Sequence, residues 1–220
     1  MKSPTLRVLV LGAVGFVISG FLSGALGLAR DTVVLGYAVV VVVVMFALYR
    51  SDPQSFCQVM GRHRISGIVA GLGVGLMLII SVMNQPPSGS PSGLQLAAAL
   101  AWLGLVYGIC DGLLLTVAPV LAVFGRDTPR LSARTGNWGR GAVALAASLF
   151  VTSTYHLGYE EFRGSHLAQP LIGNAVITAG YLMTGSVATP LIAHVIMHGA
   201  AVVHGMETTS QLPPHYLRQP

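Results

Sequence analysis

Seven stretches of apolar residues, separated by short polar or glycine- and proline-bearing breaks, run the length of this 220-residue chain. They cover 8–28, 33–49, 65–83, 94–124, 141–157, 170–183 and 187–206. Most approach the roughly 20 residues that a helix needs to cross a bilayer, so the pattern predicts an all-α, polytopic transmembrane helix bundle of about seven spans. The fourth stretch is too long for one perpendicular span and is expected to tilt, to project from the membrane or to break near Pro119. The sixth is short and is joined to the seventh by Thr184-Gly185-Ser186, which predicts an antiparallel helical hairpin. Pro190 then falls in the first turn of the last helix, where a missing amide proton costs little. The valine run 39–44 marks the second stretch as a plain lipid-facing or packing helix with nothing polar for chemistry. Residues 1–207 read as a single domain, and the polar, proline-bearing 208–220 as a disordered tail.

Composition agrees with a membrane solvent. Hydrophobic residues make up 53% and charged residues 9%, with a mean hydropathy of +0.72. A soluble domain carries about 25% charged residues, and so large a deficit cannot cover a water-facing surface. The formal charge of +5 does not indicate nucleic acid, because the arginines sit at the ends of apolar stretches; the expected partner is the lipid bilayer. Arg50, Arg62 and Arg64 flank the connection after the second stretch, and Arg126, Arg130, Arg134 and Arg140 the one after the fourth. With seven spans these fall on one side with Lys2 and Arg7, while 85–93 carries no charge. The positive-inside rule then places the N-terminus in the cytoplasm and the C-terminus outside, and a bacterial plasma membrane is the expected location. The run 8–28 has bilayer length rather than that of a cleaved signal's apolar core, so an uncleaved first span is expected. Cys57, in a polar loop, and Cys110, in an apolar run, read as free thiols.

Gly67, Gly71 and Gly75 recur every four residues in the third stretch, and Gly104, Gly108 and Gly112 in the fourth. Small residues at this spacing let helix backbones approach closely. The first ladder reads as packing. The second places Asp111 broadly on the ladder's side, facing other helices, where a carboxylate must be paired, protonated or hydrated.

His194 and His198 lie inside the last apolar stretch, one turn apart on one helix face. An ionisable group there is costly and marks a functional site by default. His156, within Thr154-Tyr155-His156-Leu157-Gly158-Tyr159, is either an interfacial histidine beside tyrosines or a member of the same site. His204 falls on a different face and fits the interfacial role better. Two histidines at i and i+4 offer the metal-binding edge of zinc proteases, but Val195 stands where those enzymes carry glutamate, which excludes that soluble class. With His156 and Asp111 the pair would make a three-histidine, one-carboxylate shell suited to zinc. The same groups can also work without metal, a carboxylate and a histidine activating water while another histidine stabilises an oxyanion. Both chemistries stay open.

The C-terminal half, about 95–206, resembles the CPBP family, the CAAX-processing and bacteriocin-processing intramembrane proteases. Gly180-Tyr181-Leu182-Met183-Thr184-Gly185-Ser186 followed by Thr189-Pro190-Leu191-Ile192-Ala193-His194 is similar to the run before that family's last motif, a histidine with Asn or a similar polar residue four positions on; here that residue is His198. The middle motif, a Phe four residues before a His, is matched by His156 and the following Leu157-Gly158, with Thr152 in place of Phe. The first motif, two adjacent glutamates with an arginine four residues after the second, corresponds to Cys110-Asp111 with Leu115 in the arginine's place. Glu160-Glu161-Phe162-Arg163-Gly164 imitates that motif but follows His156 and has too short a spacing, so it reads as a loop. The resemblance implies an intramembrane endopeptidase, metal-dependent or of glutamate type with Asp in place of Glu, acting on membrane-associated peptides. Asp111 and His156 would activate water, with His194 and His198 on the oxyanion or a metal. A non-catalytic membrane scaffold and a small proton or metal transporter are the other two expectations.

Overall fold

Apolar runs free of internal strand or turn signals satisfy their backbone groups internally only as helices, and in the computed structural model all seven runs are helical. The structure describes residues 3–125, 127, 130, 131 and 137–211. Its principal helices are α1 (Pro4–Ala25), α2 (Arg30–Ser51), α3 (Pro53–Gly61), α4 (Arg64–Met83), α5 (Gly93–Phe124), α6 (Trp138–Leu157), α7 (Ala168–Thr184) and α8 (Ala188–His204). No strand occurs among the described residues. Lys2, Arg126 and Arg134, used above to orient the chain, lie outside the described residues, as does 212–220 of the expected tail.

Among the described residues, four helices, α1, α2, α4 and α5, are long and apolar enough to cross a bilayer, the architecture of a multi-pass membrane protein. Four is thus the number given by length and apolarity, against an expectation of about seven; α8 is apolar but only 17 residues long. The outer faces are apolar as lipid contact requires: Val42 and Val43 on α2 and Ile65 and Val69 on α4 are all more than 60% exposed. The stretch 50–64, expected as a loop, contains α3. It starts at Pro53, and the Asp52 side chain accepts from the Ser55 amide at 3.3 Å, an ordinary N-cap.

α5 neither stops nor breaks at Pro119. Wider turns of i→i+5 type run through 100–106 and 112–117, the second just ahead of the proline. Pro119 has no amide proton to offer the carbonyl of Leu115, four residues back. That carbonyl instead accepts from Ser148 Oγ on α6 (2.6 Å) and Asn174 Nδ2 on α7 (3.4 Å). A proline defect is thereby converted into a three-helix junction, as is usual inside membranes.

α7 ends at Gly185, in the left-handed conformation (φ +68°) that glycine adopts without steric cost. The Gly185 amide donates to Tyr181 O (2.7 Å), and Thr184 Oγ1 lies 2.8 Å from Thr189 Oγ1, closing the expected hairpin onto α8. Pro190 sits in the first turn of α8.

Both glycine ladders press on α8. A Cβ built on Gly71 would lie 2.8 Å from Ile192 Cβ, and one on Gly75 2.9 Å from Ile196 Cβ, so α4 runs parallel to α8. A Cβ on Gly108 would lie 2.9 Å from Val195 Cα, and one on Gly104 3.4 Å from Gly199 Cα, so α5 runs antiparallel to it on another side. At Gly71, Gly75 and Gly108 that approach is closer than real side chains show, hence the glycines there.

Candidate functional site

The clasp on α8 fixes where its histidines point. His194 and His198 stack at 6.2 Å between ring centroids and turn toward Asp111 on α5. His198 Nε2 donates to Asp111 Oδ2 at 3.0 Å. The ligand atoms of Asp111, His194 and His198 all lie within 4.8 Å of one another, and all three residues are buried. The second ladder thus performs the alignment read from its spacing, because Gly108 and Gly112 bring α8 into backbone contact just beside Asp111.

The other carboxylate oxygen, Oδ1, accepts from the hydroxyl of Tyr37 at 2.9 Å. Tyr37 belongs to α2, the helix read from its valine run as having nothing polar for chemistry, and that reading is corrected here. Val42 and Val43 do face outward, but Tyr37 is fully buried and reaches the centre of the bundle. It stacks on Tyr155 (5.5 Å) and meets Tyr107 edge-on (5.9 Å). Tyr107 in turn lies 4.5 Å from the His198 ring, and its hydroxyl is 3.0 Å from that of Tyr155, which accepts from Tyr159 at 3.1 Å.

His156 stands apart from the three. Its Nδ1 donates to the Thr152 carbonyl at 2.8 Å, one turn back on α6, which leaves Nε2 as the ring's lone-pair nitrogen. The four-ligand shell expected from sequence is therefore three residues plus a neighbour. All four border one cavity of about 70 Å³, bounded also by Tyr107, Tyr155 and Asn174. A water needs roughly 10–15 Å³ of such space, so several fit.

The two nitrogens of His194 have no hydrogen-bond partner among the described residues, and neither has Nδ1 of His198. A buried polar atom left without a partner costs about 1–3 kcal/mol, so these nitrogens call for something the cavity can hold.

Beside the cavity lies a polar knot that the sequence reading did not single out. Asn174 Nδ2 donates to Ser148 Oγ (2.9 Å) and Thr152 Oγ1 (2.6 Å), while its Oδ1 accepts from Thr116 Oγ1 (2.7 Å). Ser148 spends its proton on Leu115 O, so Thr178 Oγ1, 2.9 Å away, donates to Ser148. Thr152, which occupies the position of the family's Phe, thus binds Asn174 through its hydroxyl and His156 through its carbonyl. A lone amide in an apolar helix was the available signal for Asn174.

Residues 209–211, in the first part of the expected tail, instead border the cavity, and Thr208 and Gln211 are buried. Thr209 bonds Gln85 Oε1 through its amide (2.8 Å), and Gln211 Nε2 donates to the His198 carbonyl (3.0 Å). His204 donates to Gln85 O (2.8 Å), as a structural histidine at a helix end does. Glu160 and Glu161 form a short turn after α6 and do not border the cavity.

No protein-family model matches the chain, and no curated protein or solved structure matches it either. The CPBP resemblance rests on the quoted motifs alone.

Proposed function

We propose that the chain is a CPBP-like intramembrane hydrolase that cleaves membrane-associated peptides, with its N-terminus in the cytoplasm and its seven apolar helices all embedded. The observation that carries the reading is the convergence of Asp111, His194 and His198, from two helices clasped by glycines, on a cavity that also reaches His156. In this reading a cavity water attacks the peptide carbonyl carbon and gives its proton to His156 Nε2. His194 and His198, directly or through an ion, form the electrophilic side that stabilises the oxygen anion. Collapse breaks the C–N bond, and the leaving amine takes the proton from His156. Asp111 holds His198 in place and balances the charge that develops nearby.

A second reading has its own observation. Both oxygens of Asp111 already have partners inside the bundle, Tyr37 and His198, which is also how a purely structural carboxylate in a scaffold is held. The membrane peptidome of cells carrying the wild-type chain, compared with Asp111→Asn and His156→Ala, separates the two. A hydrolase leaves peptides uncut in both variants that are cut in the wild type. Identical peptidomes, with the variants folded and present in the membrane, would sink the hydrolase and leave the scaffold.

A further inference from the structure

We propose that residues 205–211 form a gating strap over the mouth of the cavity, and that the strap's hydrogen bonds set how fast a water-soluble molecule reaches the buried histidines. The cavity runs from His194 and His198, both buried, out to Ser81 and Gln169, both exposed. Its mouth therefore lies between the end of α4 and the start of α7. The strap crosses there, with Thr209, Ser210 and Gln211 bordering the same cavity. Hydroxyls and amides rim this mouth, so it opens toward water or headgroups rather than toward acyl chains.

Hydrogen bonds from several elements hold the strap down. The Glu207 amide donates to Ser88 Oγ (3.1 Å), and Arg30 on α2 donates to the Met206 carbonyl (3.2 Å). The Thr209 amide donates to Gln85 Oε1 (2.8 Å), and its hydroxyl sits between Gln85 Oε1 (3.0 Å) and Gln169 Oε1 (3.2 Å). One side chain thus bridges the connection after α4 to the start of α7. Gln211 donates to the His198 carbonyl, so the strap ends on the helix that carries the site. Where it leaves α8, a Cβ on Gly205 would lie 2.6 Å from the Ser88 amide nitrogen, and glycine lets the chain lie flat there.

The composition of the strap makes it a gate rather than a plug. None of residues 207–211 is aliphatic or aromatic, so closure draws little on apolar burial. Each of its hydrogen bonds can be exchanged for one to water at the mouth, and such bonds contribute modestly. Thr208 Oγ1 and Gln211 Oε1 are buried with no hydrogen-bond partner among the described residues, which counts against the closed position. α8, immediately before the strap, is gripped by glycines of α4 and α5. The strap can therefore open locally while both histidines stay in place. The gate does not depend on the hydrolase reading, since it controls entry whatever reacts inside.

The test is cysteine labelling of the full chain in detergent. Ile177, 1% exposed and on the cavity wall, becomes the reporter as Ile177→Cys in a Cys57→Ser background. The same background without the reporter gives the contribution of buried Cys110. The probe is a positively charged methanethiosulfonate. Reporter chains with the strap intact are compared with Thr209→Val, which removes the bridge to α7, and with Gln85→Ala. The latter removes the acceptor of the Thr209 amide but keeps the carbonyl that His204 uses. We expect labelling at least about tenfold faster in both variants. The amides of 206–211 should also exchange faster with deuterium, while those of α8 do not. Equal labelling in all three chains would overturn the gate, as would strap amides that exchange no faster once these bonds are gone. Exchange of α8 along with the strap would overturn it too, because the helix would then be what opens. Labelling is read without any substrate, so a peptidome result that sinks the hydrolase leaves the gate standing, and a failed gate leaves the hydrolase.

Discussion

Asp111 has a dedicated donor in Tyr37, and removing it reaches the centre of the site without touching a histidine. Tyr37→Phe keeps the ring that stacks on Tyr155 and deletes only the hydroxyl. A hydrogen bond to a charged group contributes about 1.5–3 kcal/mol, so this variant should unfold more readily in detergent by an amount of that order, measured by denaturation against the wild type. A stability equal to the wild type's would mean that Tyr37 is not holding the carboxylate. Asp111, His194 and His198 were legible because ionisable groups in apolar stretches are expensive and therefore conspicuous. Tyr37 was not, since a tyrosine among valines is ordinary in a membrane helix and only tertiary contact reveals its role. The same holds for Ser148, Thr152 and Thr178, whose hydroxyls are common inside membrane helices. Pro119 announces that the Leu115 carbonyl is orphaned, but not that Ser148 and Asn174 will claim it.

At the scale of helices, spacing carried more of the answer than composition. The ladder in α5 was read as facing other helices with Asp111 on its side, and the packing on α8 agrees. That both ladders would grip one and the same helix could not be read, because a glycine repeat does not name its partner. The grip predicts a sharp contrast. Gly108→Ala puts a methyl 2.9 Å from the Val195 backbone, which cannot yield without moving α8, whereas a methyl on Gly73 meets nothing within 4 Å. Gly108→Ala should destabilise by about 1–3 kcal/mol and uncouple His198 from Asp111; Gly73→Ala should stay within about 1 kcal/mol of the wild type. Thermal unfolding of the two variants in one detergent gives the comparison, and equal melting would remove the clasp as an organising contact.

Across the whole molecule, the two ends of the bundle differ. Arg7 and Arg140 border an open cavity of about 370 Å³ with α3 at one end, and Arg140 there contacts Asp127 and donates to the Phe124 carbonyl (3.0 Å). The opposite end carries 84–92 and 205–211, joined by His204, Gln85 and Thr209. If the arginine end is cytoplasmic, exposed Cys57 should react with a membrane-impermeant maleimide in inside-out vesicles and not in sealed cells, while buried Cys110 should react in neither. Labelling of Cys57 from outside would invert the orientation. The grip on α8 also bears on how the chain is made. At 17 residues, α8 is roughly 25 Å long, short of a hydrocarbon core of about 30 Å, and it carries two imidazoles. It leaves the ribosome after α4 and α5, whose glycines form the groove that receives it. Its entry into the membrane should therefore depend on a partly assembled receptor rather than on its own hydrophobicity. A nascent chain stopped before α8 would hold Asp111 with Tyr37 as its single side-chain partner among those described. The helix that brings both imidazoles to Asp111 is thus the one whose insertion most depends on the helices made before it.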